Sequence, residues 1–326
     1  MSQAGSTGDR SETTARAVAF VEAHRDAAET LGTRLAQDVN DPEALAATLR
    51  AGLEGLADAE YLEGTQRIAP GIGPTYGVRW PLMAAVSRTF RAATKKDKAT
   101  PLLFVADRLF QEDHLEPRWF AFGILEHTID RETERTWQLL RRAARESGDW
   151  ITVDSLAHPY GKGVLKEPYR WAELEQLVFS PNRWERRLVG STIATIPFVD
   201  RRRGREPAVA GQALPLLGQL IGDDEPDVQK ALAWAYRSMV MVDRAATTAA
   251  LVAEADRAAA TDDGHRAWVV RDTLPKLDRP IAGDLKDRLE GIRRRSGAPS
   301  TSEASRTAAR FGDLPDPASL PEPPLT

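Results

Sequence analysis

Apolar side chains recur along most of this chain at three- and four-residue intervals, the period of a helix with one buried face. Val18, Val21, Ala28 and Leu31 make one such stripe, and Leu45, Leu49, Leu53 and Leu56 another. The period returns near 80–94, 100–111, 117–128, 131–144, 170–179, 183–196, 212–221, 227–242, 244–254, 264–274 and 281–292. Strand-like alternation is almost missing. Breakers separate the segments: Asn40-Asp41-Pro42, Glu116-Pro117, Ser180-Pro181, Asp224-Glu225-Pro226 and Arg279-Pro280. The spacing predicts an all-α chain of about seven antiparallel helix pairs, each taking roughly 35–45 residues, the period of a HEAT-like α-solenoid with an extended concave face. A globular helical bundle is the alternative.

The two ends lack this pattern. The polar lead 1–16 and the Pro/Ser-rich 296–326 bury too little apolar surface to offset their ordering entropy. Both are expected to be disordered, flanking one helical repeat domain at 17–295. The stretch 64–77, GTQRIAPGIGPTYG, reads as an inter-helix connection, since it has no Gly-Lys-Ser/Thr ending and no preceding strand. No apolar run is long enough to span a membrane, and the N-terminus lacks a signal-peptide core. A cytoplasmic protein is expected.

Composition narrows the chemistry. With no cysteine, thiolate nucleophiles, disulfides and Cys-held metals are excluded. The five histidines, His24, His114, His127, His158 and His265, show no metal-ligand spacing, so neither metal nor cofactor is expected. A net charge of −4 argues against nucleic acid until its distribution is read. Residues 1–70 carry 12 acidic and 6 basic residues, whereas 116–210 carry 14 acidic and 16 basic, so the central chain is not anionic. Arg201-Arg202-Arg203-Gly204-Arg205, in an inserted loop, could reach a phosphate backbone, and Lys95, Lys96 and Lys98 lie at a helix end, where cations suit the dipole; solvated loops are the plainer reading of both. Eight tryptophans beside five tyrosines are the remaining oddity.

Three places carry candidate chemistry. In 148–155, Asp149 caps a helix starting at Trp150, which puts Trp150 and Asp154 one turn apart on one face. An indole beside a carboxylate suits a cationic or cation-forming ligand. The plainer reading is a core tryptophan with Asp154 at the positive helix end. In 227–237, Lys230, Trp234 and Arg237 share a stripe at i, i+4 and i+7, a pattern suited to a binding face. In 180–187, a capped helix start carries Arg183, Arg186 and Arg187, and both features suit phosphate oxygens. A solvated face over a buried Trp184 is the plainer reading there.

In this order, WITVDS at 150–155, SPNRWERR at 180–187 and DVQKALAWAYR at 227–237 resemble the AlkD-like DNA alkylation-repair glycosylases. A weaker match, Tyr76-Gly77-Val78-Arg79-Trp80-Pro81, looks like the family's Gly-Val-x-x-Pro turn, with Arg79 where a polar amide is usual. The resemblance covers roughly 60–277, with insertions near 66–73 and 198–206. It implies a HEAT-like solenoid cradling double-stranded DNA that contains alkylated bases. It implies Asp154, Trp150 and Trp234 as catalytic residues acting on the sugar of a cationic alkylpurine. It implies DNA contacts at Arg187 and Arg237, with Lys230, Arg186, Arg183 and Arg79 as further basic candidates. The expected reaction is monofunctional hydrolysis to an abasic site, by a nucleoid-associated monomer that leaves the base near the stack and tolerates bulky adducts. The competing reading is a non-catalytic HEAT-like module that binds DNA or a protein.

Overall fold

The computed structural model describes residues 7–310. Among these, sixteen α-helices are present and no strand, so the all-α class stands. By its internal contacts the chain divides into two compact units, Met1–Gly163 and Val164–Thr326, where the sequence suggests one domain over 17–295. The first holds α1 (Thr7–Leu35), α2 (Pro42–Gly55), α3 (Ala59–Ile68), α4 (Trp80–Ala93), α5 (Ala99–Leu109), α6 (Leu115–Thr128) and α7 (Thr133–Glu146). The boundary falls within α8 (Trp150–Lys166). The second unit holds α9 (Arg170–Val178), α10 (Arg183–Val199), α11 (Pro207–Leu220), α12 (Pro226–Met239), α13 (Arg244–Thr261), α14 (Gly264–Thr273), α15 (Arg279–Arg288) and α16 (Glu303–Ala309).

The breakers in the sequence become helix starts. Asp41 accepts from the Ala44 amide at 3.0 Å, with Pro42 in the first turn, where its missing N–H costs nothing. Asn182 caps α10 through the Trp184 amide at 2.9 Å, and Asp149 caps α8 through the Thr152 amide at 2.8 Å. Pro226 and Pro280 open α12 and α15. Most of the helices then bury an apolar stripe: Leu45, Leu49, Leu82, Val86 and Leu125 in the first unit, and Leu174, Val189, Ile193, Leu217 and Leu232 in the second.

Parts of both ends expected to be disordered are ordered. In the lead, α1 begins at Thr7, and an exposed Arg16–Glu60 ion pair of 2.9 Å ties it to α3; residues 1–6 lie outside the described residues. At the other end, residues 296–310 dock on the second unit mainly through polar groups. The Thr301 amide donates to the Gly222 carbonyl at 2.9 Å, and the Thr301 hydroxyl to Asp263 at 2.5 Å. His265 Nε2 lies 3.1 Å from the Ala298 carbonyl oxygen, and Ala304 of α16 is buried. Hydrogen bonds to fixed backbone supply what apolar burial does not. Residues 311–326 lie outside the described residues.

Helices α10 and α12 pack backbone to backbone at Gly190. A Cβ there would lie 2.8 Å from the Ala231 carbonyl carbon and 2.9 Å from its Cβ. Gly190→Val therefore forces the two backbones apart and should cost about 1–3 kcal/mol or more. Gly211 of α11 is exposed with open space around it, so Gly211→Ala should instead gain about 0.5–1 kcal/mol of helix propensity. Melting temperatures that fail to move in opposite directions would contradict this packing.

Candidate functional site

A cleft of ≈ 1090 Å³ opens within the first unit, lined wholly by residues between 80 and 159. One wall is α8, which presents Trp150, Ile151, Asp154, Ser155 and His158 to it. The expected pair, Trp150 and Asp154, is thus brought together on one turn, both half-buried. The start of α8 is held by a short relay. The Trp119 indole N–H donates to the Thr152 hydroxyl at 3.0 Å, and that hydroxyl donates to the buried Asp149 carboxylate at 2.6 Å. This relay fixes the Trp119 ring of α6 beside the helix that carries Asp154.

Trp119 and Trp80 also line the cleft, and the sequence reading passes over both. Trp80 opens α4 and is 59% exposed, a large apolar surface left open at the cleft. Three tryptophans from three helices therefore line the cleft that Asp154 and Glu126 also line. The signal for Trp80 lies inside the Tyr76–Pro81 turn itself, where attention falls on its neighbour Arg79.

That neighbour is turned elsewhere. Arg79 Nε donates to Asp58 at 2.6 Å, and its guanidinium sits over the rings of Tyr61 and Phe20 at 5.3 and 5.9 Å. It does not line the cleft. The turn before it is an anchored structure and not a bare connection. Gly77 takes φ +82°, where a Cβ would meet Leu62, and the buried Glu116 carboxylate accepts from the amides of Tyr76 and Gly77 at 3.1 and 2.9 Å. Of the preceding stretch, 64–68 belongs to α3 and the remainder is the connection from α3 to α4.

Behind Asp154 along α8, His158 Nδ1 lies 3.3 Å from Glu126. Burial pushes the Glu126 carboxyl up, but the His158 hydrogen bond and nearby positive groups such as Lys162 outweigh it and hold the group below its ordinary range. The adjacent His127 is pushed down to about 4, chiefly by burial, with Arg91, Lys162 and Arg131 adding to the effect against the attraction of Glu126. Unfolded, the ring titrates near about 6.5. Between those values the unfolded chain binds a proton that the folded chain refuses, so stability present above about pH 6.5 is lost as pH falls toward 4. From about pH 7.5 to about pH 4.5, the melting temperature of His127→Asn should fall less steeply than that of the wild type. Parallel curves would refute the assignment.

The remaining candidates lie in the second unit. On α12, Lys230, Trp234 and Arg237 share the one stripe that is not buried, whereas Ala231, Leu232, Ala233, Ala235 and Tyr236 face the core. Trp234 is half-buried and is not among the residues lining the cleft. Arg237 is ion-paired with Asp272, and Lys230 is exposed, 3.6 Å from Asp227. On α10, Arg183 pairs with Glu225 at 3.2 Å and covers the Trp184 ring at 4.7 Å. Arg186 donates to the fully buried Asp223 at 2.7 Å and to two carbonyls. Arg187 is buried and donates to the Asp227 carbonyl at the start of α12 at 2.6 Å. The Arg201–Arg205 run is an ordered turn in which Asp200 accepts from the amides of Arg202 and Arg203, both at 2.9 Å. Among the described residues, no group of three or more His, Asp or Glu side chains converges as a metal site, and no helix is long and apolar enough to cross a membrane.

Residues 49–262 match a family model described as DNA alkylation repair enzyme. No curated protein matches the chain in sequence at a significant level.

Proposed function

This chain belongs to the DNA alkylation repair enzyme family, and from that premise we propose that it is a monofunctional DNA glycosylase for cationic N3- or N7-alkylated purines in duplex DNA. The observation that carries the reading is the cleft itself, where the Asp154 carboxylate shares a lining with three indoles. Such a site is poor for a neutral apolar ligand and good for one that becomes positive.

Alkylation puts a positive charge on the purine, so the base needs no acid to leave. The C1′–N bond breaks, its electron pair neutralises the base, and positive charge passes to the deoxyribose. Asp154 stabilises that charge and orients a water, whose oxygen bonds C1′ as its proton passes to the carboxylate and then to solvent. Trp150 packs on the sugar and adds cation–π attraction as the charge grows. In the second unit, Trp234 with Lys230 and Arg237 supplies an aromatic and cationic face for DNA. Arg187 acts through α12, by fixing the start of the helix that bears Trp234. A HEAT-like stacking of helix pairs belongs to the same proposal.

The purified protein should release free base from duplex DNA carrying 7-methylguanine, 3-methyladenine or a bulky cationic adduct, leaving an intact strand with an abasic site. No release above background from any of the three overturns the enzyme reading. Salt-sensitive duplex binding without release would then favour a non-catalytic DNA-binding module.

A further inference from the structure

A surface cation grips a phosphate well only when the protein has not already neutralised it. In the second unit Arg183, Arg186 and Arg237 each have a carboxylate partner. The cleft of the first unit differs. Arg91 on the last turn of α4, Lys95 just beyond it and Arg131 just beyond α6 all line the cleft, and all three are exposed. Among the described residues none of them has a carboxylate partner. Instead, Arg91 Nη1 donates to His127 Nε2 at 3.0 Å, and Arg131 Nη1 donates to the Asp97 carbonyl at 2.7 Å. An arginine can only donate, so that ring nitrogen must be the acceptor and the imidazole is uncharged. Burial holds His127 in that state at neutral pH, so Arg91 is oriented without losing its charge. The carbonyl of Asp97 aims Arg131 in the same way.

We propose that Arg91, Lys95 and Arg131 form a phosphate-binding rim on the Trp150–Asp154 cleft and hold the lesion-bearing DNA strand by its backbone. The inference rests on the reading of Asp154 as acting on a deoxyribose, because a sugar in that cleft carries a phosphodiester on either side. Cations on the rim of the same cleft then set which sugar faces the carboxylate. The partners of these side chains, a neutral ring and a carbonyl, fix direction and leave the charge for the ligand.

The test is equilibrium binding of the full-length protein to an undamaged duplex between about 50 and about 200 mM salt. Each phosphate contact contributes about 0.9 to the slope of log K against log salt, so the triple variant Arg91→Gln, Lys95→Gln, Arg131→Gln should lose about 2–3 from that slope. Lys96→Gln, one residue away and outside the cleft lining, should change it by well under one such contact. The charge-retaining Arg91→Lys, Arg131→Lys pair should recover most of the slope, which separates loss of charge from loss of fold. A triple variant with the wild-type slope overturns the rim, as does a wild type that binds no duplex at low salt. If the wild type releases no base yet the slope falls, the rim stands and the glycosylase reading fails. If base is released and the slope holds, only the rim fails.

Discussion

Asp154→Asn should lower base release from 7-methylguanine duplex by roughly 10²–10⁴-fold while affinity for undamaged duplex stays within a few-fold. The substitution keeps the shape of the side chain and removes its charge. Because the leaving base is already cationic, no general acid is lost, and the whole effect falls on stabilising the sugar and orienting water. The relay from Trp119 through Thr152 to Asp149 does not include Asp154, so the start of α8 keeps its anchor and a residual rate above the uncatalysed one remains. Single-turnover kinetics with excess protein isolates this step from product release. A variant within threefold of the wild-type rate would remove Asp154 from the chemistry, whatever the family. Unchanged duplex binding alongside the lost rate distinguishes a chemical role from a misfolded cleft.

The legibility of this site in the sequence divides along physical lines. Helix starts were readable because capping is local: Asp41, Asp149 and Asn182 satisfy amides two or three residues away. Trp150 and Asp154 were readable for the same reason, as neighbours on one turn. Helix α3 was not, because its segment AEYLEGTQRI buries only Thr65 fully and looks like a loop by composition. The docked stretch near Thr301 was hidden because its anchors are hydrogen bonds to Gly222 and Asp263, which hydropathy does not register.

Charge is where one-dimensional reading fails most clearly. Arg183, Arg186 and Arg237 looked available because their counterions Glu225, Asp223 and Asp272 stand tens of residues away. Arg91 and Arg131 carry no motif and Lys95 only a helix-end position, and it is the fold that gathers the three on the cleft lined by Trp150 and Asp154. The surplus of tryptophan is explained in the same way. Trp80 and Trp119 join Trp150 from helices distant in sequence, while Trp137 is simply core.

Filling the cleft at Gly123 separates two ways of using it. Gly123 lies on α6 in the cleft lining, and a Cβ there would meet only the Ser87 hydroxyl, at 3.9 Å. A larger side chain therefore enters open space, and replacing a mid-helix glycine gains helix propensity. Gly123→Phe should fold at least as well as the wild type, yet lower base release by about 100-fold, because displacing the sugar from Asp154 by an ångström or so is enough. The lesion dependence of that loss carries the distinction. If the cleft holds the sugar and backbone while the base stays near the stack, methylated and bulky adducts should lose rate by the same factor. If the cleft instead receives an extruded base, the bulky adduct must suffer far more than 7-methylguanine. Measuring both substrates with one variant decides between them, and a bulky-to-methyl ratio that collapses relative to the wild type would rule out backbone capture as the use of this cleft.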